Sequence, residues 1–87
     1  MRIIFSTQAE KELRRLPKLD QIAISQKIRM LENISLVGEE KLKGYKNIFR
    51  ARVGDYRIVY RRKIEEIYIV LIGYRKDIYR ILDKLLK

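Results

Sequence analysis

The chain has no histidine and no cysteine, and these two absences remove most of the usual routes to enzymatic chemistry. Without cysteine there is no disulfide framework and no thiolate metal site, a pattern that fits a reducing compartment. Without histidine the imidazole acid–base pair and any Ser-His-Asp triad are excluded, and a zinc site is left short of ligands. Proline occurs once and glycine four times. The glycines are isolated, so no P-loop or dinucleotide fingerprint runs through them. No apolar stretch approaches the roughly 20 residues that span a bilayer, and Ile3-Ile4-Phe5 is too short for the core of a signal peptide. The expectation is a soluble, cytoplasmic protein with no membrane partner, no metal and no cofactor.

What is present is one core and a large basic excess. The 87 residues, 47% of them hydrophobic, suffice for a single domain over residues 1–87. Lys and Arg number 21 against 11 Asp and Glu, a net charge of +10. Residues 1–40 and 64–87 each contribute only +1, whereas residues 41–63 hold nine basic side chains against Asp55 alone. Charge that served solubility would be spread out. Charge gathered in one segment makes a local field suited to a polyanion, the alternative being a solvated basic loop.

Periodicity orders the elements. Ile3-Ile4-Phe5 reads as a short strand. Thr7-Gln8-Ala9-Glu10 matches a capping box with Thr7 as N-cap, and Ala9, Leu13 and Leu16 follow at helical spacing until Pro17 stops the helix. Asp20 is placed to cap a second helix whose apolar stripe is Ile24, Ile28 and Leu31, continued by Ile34. Residues 36–47, with Gly38 and Gly44, read as a loop. From Ile48 the period becomes two: Phe49, Ala51 and Val53 alternate with Arg50 and Arg52. Gly54-Asp55 then fits a type II′ hairpin turn, followed by a strand over 56–61. Ile67–Ile72 is apolar on both faces, as a central strand is. Ile78, Ile81, Leu82 and Leu85 form a closing helix. The order β-α-α-β-β-β-α predicts an α+β fold: an antiparallel sheet packed by an N-terminal helical hairpin and a C-terminal helix.

The hairpin has a chemical consequence. With Gly54 and Asp55 as the loop, opposite residues pair so that Phe49 faces Tyr60 and Ala51 faces Ile58, making one apolar face. On the other face Arg52 lies opposite Arg57, with Arg50 diagonal to Arg57 and Arg61 farther out. Like charges directly opposite each other destabilise by an amount comparable to the roughly 0.2–1 kcal/mol of a good pair. Neither strand holds an acid to offset them. Guanidinium groups converging on one sheet face form a site for phosphate, which arginine grips through a rigid, permanently charged fork. The competing reading is that they splay into solvent.

With histidine absent, proton transfer at such a face falls to tyrosine, lysine or a carboxylate. Arg75 stands at the end of the last strand and Tyr79 one turn into the closing helix, at its edge or at the rim of the core. Tyr68 and Tyr74 read as packing residues. Tyrosine is ordinarily a poor base, with a pKa of about 10, and neighbouring cations favour its phenolate.

Three stretches carry a family resemblance: Leu42-Lys43-Gly44, then Phe49-Arg50-Ala51-Arg52-Val53-Gly54-Asp55-Tyr56-Arg57-Ile58-Val59-Tyr60, then Gly73-Tyr74-Arg75-Lys76-Asp77-Ile78-Tyr79. They resemble the RelE family of toxins within the RelE/ParE toxin–antitoxin superfamily, over nearly the whole chain. The resemblance implies a RelE-like microbial ribonuclease fold. It also implies a ribosome-dependent endoribonuclease that cuts mRNA without metal, a ribose 2′-hydroxyl attacking the adjacent phosphate. Carried over by position, Arg57 holds the scissile phosphate, Arg75 is a second arginine at the strand end, and Tyr79 is the general base. Arg50 and Arg52 stand where lysines are frequent, and Tyr74 where many relatives have histidine. Lys43, Arg50, Arg52 and Arg61 would hold the RNA backbone. The partners implied are the ribosome with its mRNA and an acidic cognate antitoxin. Two docking surfaces are open to that antitoxin: the apolar closing helix and any exposed side of the Ile67–Ile72 strand. A ParE-like inhibitor of DNA gyrase without nuclease chemistry shares the scaffold and is the alternative, as is a plain nucleic-acid-binding module.

Overall fold

The computed structural model describes residues 2–32 and 40–86; Ile34 and Gly38 lie outside them. The elements are β1 (Arg2–Phe5), α1 (Thr7–Arg15), α2 (Lys18–Met30), β2 (Glu40–Lys41), β3 (Ile48–Val53), β4 (Tyr56–Lys63), β5 (Glu66–Tyr74) and α3 (Ile78–Leu86). One five-stranded sheet runs β1-β5-β4-β3-β2. The expected α+β order holds, with two differences. A short edge strand, β2, lies within the stretch read as a loop, and β1 joins β5 in parallel, so the sheet is antiparallel only from β5 to β2. None of the described helices is long and apolar enough to cross a membrane.

The helices divide between the two faces. On one, Ala9, Ile24, Ile28 and Leu31 of the helical hairpin pack on Ala51, Ile58, Tyr60, Ile67, Ile69 and Ile72. On the other, Ile78 and Leu82 of α3 pack on Ile48, Val59, Val70 and Leu71. β5 therefore has both faces covered, which is why its middle, Ile67–Ile72, is apolar on both faces. A bulge assists: Val59 pairs with Leu71 but Tyr60 with Ile69, leaving Val70 as the extra residue. Val70 and its neighbour Leu71 both enter the core beneath α3. Truncating a fully buried side chain such as Ile24 to alanine should cost about 2–5 kcal/mol.

Both expected caps fall on other residues. The N-cap of α1 is Ser6, not Thr7: Ser6 is extended and its Oγ accepts from the Ala9 amide at 3.0 Å. The same hydroxyl donates to the Val70 carbonyl at 2.7 Å. The contact with β5 thus decides where the helix starts, and local pattern cannot show it. α2 starts at Lys18 behind Pro17, with Asp20 inside its first turn. Asp20 instead accepts from the Tyr56 hydroxyl at 3.2 Å. Burial, reinforced by Asp20 and then Tyr74 beside it, pushes the Tyr56 pKa up to about 12.

β1 ends at Phe5, so the edge of β5 beyond Ile69 has no strand beside it. Side chains from the N-cap and the middle of α1 take that place. Ser6 serves Val70, and Glu12 Oε1 accepts from the Ile72 amide at 3.1 Å. Burial raises the Glu12 pKa above its ordinary 4.5, partly opposed by the Ile72 hydrogen bond and by Arg15. A raised carboxyl pKa means the folded state binds more protons than the unfolded chain above pH 4.5. The stability gained through Glu12 is therefore full at low pH and fades as pH rises through the folded value. In urea denaturation Glu12→Gln, which keeps the acceptor oxygen, should be at least as stable as wild type at pH 7, with an advantage that shrinks toward pH 4.5. Glu12→Ala should lose about 1–2 kcal/mol, because the Ile72 amide is left without a partner. An advantage of the glutamine variant that grows on acidification would contradict this account.

Candidate nucleic-acid interface

The hairpin of β3 and β4 positions the cationic face. Gly54 has φ of +59° and Asp55 does not share the left-handed region, the combination a type II′ turn requires. The pairs are those expected: Phe49 with Tyr60, Ala51 with Ile58, Arg52 with Arg57, Val53 with Tyr56. Phe49 stacks on Tyr60 with ring centroids 5.9 Å apart, locking the apolar side onto the helical hairpin. Arg50, Arg52 and Arg57 are left on the face that α3 only partly covers.

Arg57 is the most unusual of them. It is 8% exposed, and its Nη1 donates to the carbonyls of Gly54 at 3.0 Å and Tyr56 at 2.9 Å. No carboxylate among the described residues forms an ion pair with it. A buried charge is costly unless paired. The turn carbonyls orient this guanidinium but supply only partial charge. An anion from outside would complete the site.

Arg50 lies one step down the hairpin and is differently placed. Its Nη1 donates to the Tyr79 hydroxyl, and its guanidinium carbon sits 5.4 Å from the centre of the Tyr79 ring. Tyr79, the second residue of α3, therefore reaches into the arginine face from the helix edge. Tyr45 reaches the other side of α3 and donates to Asp83. That contact helps fix the helix on the sheet.

Glu40 is the residue the sequence analysis missed. β2 pairs Glu40 with Arg50, and Oε2 accepts from Arg50 Nη2 at 2.5 Å and Nε at 3.2 Å. Oε1 is 3.7 Å from Arg52. Arg50 and Arg52 are thus compensated by a carboxylate of the same molecule, contrary to the expectation of an unopposed cluster. The hydrogen bond from Arg50 is the main reason the Glu40 pKa lies below 4.5, with the charges of Arg50, Arg52 and Arg57 adding to it. The only cue in the sequence is that Glu40 directly precedes the basic segment.

The remaining predicted residues divide by position. Arg75 stands at the turn end, where its amide donates to the Asp55 carbonyl at 3.0 Å and its Nε is 3.9 Å from Asp55 Oδ1. Gly73, two residues earlier, pairs with Arg57. Arg61 shares the cationic face but pairs with Ile48, at the other end of the hairpin. Lys43 is exposed in the loop leading to that same end. The structure therefore groups Arg50, Arg52, Arg57 and Tyr79, sets Arg75 at their border, and leaves Lys43 and Arg61 on a separate flank. Tyr68 packs in the core beneath α3, and Tyr74 stacks on Tyr56 at 4.9 Å while remaining 53% exposed. Of the two antitoxin docking surfaces considered, the Ile67–Ile72 strand is buried apart from Tyr68, whereas α3 buries Ile78 and Leu82 but leaves Leu85 50% exposed.

A family profile described as ParE toxin of type II toxin–antitoxin system, parDE, matches residues 3–79. The chain is similar to the RelE–RelB complex structure from Methanococcus jannaschii at 31% identity, covering 87% of this chain and 94% of that one with a TM-score of 0.73. For the archaeal RelE–RelB complex from Pyrococcus horikoshii the values are 29%, 85%, 93% and 0.69. A mutant of the E. coli toxin RelE in the free state has the same fold at 21% identity, covering 98% and 96% of the two chains with a TM-score of 0.77. No curated protein sequence matches significantly.

The depressed Glu40 pKa has a defined sign. Its ion pair with Arg50 adds stability above pH 4.5, and that stability is lost as pH falls through the lower folded value. Glu40→Gln should show a slightly lower thermal midpoint than wild type at pH 7, the modest size reflecting a half-exposed pair. The two midpoints should converge as the pH drops below 4.5. A gap that widens on acidification would refute the pairing.

Proposed function

The chain belongs to the ParE toxin family of type II toxin–antitoxin systems, within the RelE/ParE superfamily, and from that premise we propose that it is a metal-independent endoribonuclease cutting mRNA on the ribosome. The observation that carries this reading is Arg57, a buried cation held by turn carbonyls with no ion-pair partner among the described residues. A phosphodiester laid over the hairpin supplies the missing charge.

The chemistry uses groups already in place. Tyr79 takes the proton of a ribose 2′-hydroxyl, whose oxygen attacks the neighbouring phosphorus. The bond from phosphorus to the 5′-oxygen breaks, leaving a 2′,3′-cyclic phosphate and a 5′-oxyanion that takes a proton from water to become the 5′-hydroxyl. Arg57, with Arg75 at the border of the site, stabilises the negative charge that grows on the phosphoryl oxygens. Arg50 holds the Tyr79 hydroxyl and, with Arg52, the flanking backbone; Lys43 and Arg61 touch RNA farther along. Neither arginine can readily exchange a proton, and the base in this reading is Tyr79, the role the family resemblance gives it. A toxin of this charge is held by an acidic antitoxin made with it, and the ribosome as target places it in the cytoplasm.

The match to the ParE profile favours a second reading, inhibition of DNA gyrase with no nuclease step. Expression of the toxin with mapping of mRNA 5′ ends, run beside an assay of gyrase-mediated DNA breakage, separates the two. Cuts in register with codons are expected, and Tyr79→Phe should reduce them by about 10²–10⁴-fold with the fold unchanged. Loss of the Arg57 side chain should cost on the order of 10²–10³-fold. DNA breakage without mRNA cleavage would establish the gyrase reading, and undiminished cutting by Tyr79→Phe would remove the tyrosine from the mechanism.

A further inference from the structure

We infer that the Glu40 carboxylate occupies the position of an RNA phosphate on Arg50 and Arg52, as an internal competitor that the RNA backbone must displace. This rests on the reading of the arginine face as an RNA site and adds to it a residue that sets its affinity.

The geometry is that of anion recognition. One oxygen of Glu40 takes two N–H groups of the Arg50 fork, at 2.5 and 3.2 Å, and the other leans toward Arg52 at 3.7 Å. A phosphodiester presents the same two features, a single negative charge and two terminal oxygens in one plane with the fork. Both cannot hold the same N–H groups at once. The exchange asks little of the rest of the site. The Glu40 side chain is 48% exposed and belongs to a two-residue edge strand, so rotation about its own bonds carries the carboxylate into water. Arg50 keeps its remaining contact, because Nη1 is engaged with the Tyr79 hydroxyl rather than with Glu40. Arg57, which forms no ion pair among the described residues, is a point where RNA can bind without first displacing a carboxylate.

The arrangement predicts that the free protein holds RNA more weakly than its arginines allow. The test measures binding of a short single-stranded 2′-O-methyl RNA, which cannot be cut, to the purified full chain. Glu40→Gln and Glu40→Ala should each bind about three- to tenfold more tightly than wild type, the range expected for release of a half-exposed ion pair. Removing any acid from a basic protein raises RNA affinity somewhat through the general field, so the decisive comparison is a double-mutant cycle. In an Arg50→Ala/Arg52→Ala background, Glu40→Gln should give little or no gain. A gain of equal size there makes the effect one of long-range charge and overturns the inference. Unchanged or weaker binding by both Glu40 variants also overturns it, and identifies Glu40 as a residue that positions Arg50. Arg57→Ala tests the underlying reading separately. If it binds like wild type, the face is not the RNA site and both proposals fall; if it binds weakly while the Glu40 variants gain nothing, only the inference about Glu40 falls.

Discussion

The register of one hairpin governs the cationic face. A two-residue turn with glycine at its first position pairs Val53 with Tyr56, and every residue above them follows at a period of two. A slip of one residue would send the arginines into the core beneath the helical hairpin and the aromatic pair Phe49–Tyr60 into water. The burial of Tyr60 and Ala51, both inaccessible to solvent, therefore holds the guanidinium groups on the other side. The cationic surface is stabilised by hydrophobic contacts made on the face opposite to it.

The second face of the sheet is shared between a core and a site. α3 covers Val59, Val70 and Leu71, and the bulge at Val70 brings two apolar residues in succession beneath it. Ile78 and Leu82 anchor the helix, and Tyr79 between them is carried to the edge of that core, where Arg50 meets its hydroxyl. Packing thus sets the position of a polar group that the proposed chemistry needs. Such a site is more rigid than one built on loops alone, because Tyr79 comes from a helix and Arg50, Arg52 and Arg57 from paired strands.

Charge is compensated unevenly across this surface. Arg50 is paired with Glu40 and Arg75 stands near Asp55, whereas Arg57 is buried over two carbonyl oxygens. Like-charged Arg52 and Arg57 remain directly opposite in the ladder. The strain of that placement is small beside the stability of the apolar pairs on the reverse face, so the fold tolerates it, and the unmet charge is available to a polyanion.

The sequence alone determined everything that depends on neighbours in the chain. Alternation over 49–60, the glycine turn, the proline between the first two helices and the apolar run of the central strand were enough for the element order apart from β2 and for the facing of Arg52 and Arg57. Only the tertiary structure decided the rest. Ser6 rather than Thr7 caps the first helix because a distant strand offers its hydroxyl a carbonyl; Asp20 serves a tyrosine instead of a helix end; and Glu40 reaches the arginines through an edge strand of two residues, too short to have a period. Arg61 and Lys43 share the charge of the basic segment but stand at the far end of the hairpin. Composition counts charge, whereas its usefulness to a phosphate depends on distances set by residues far apart in the chain.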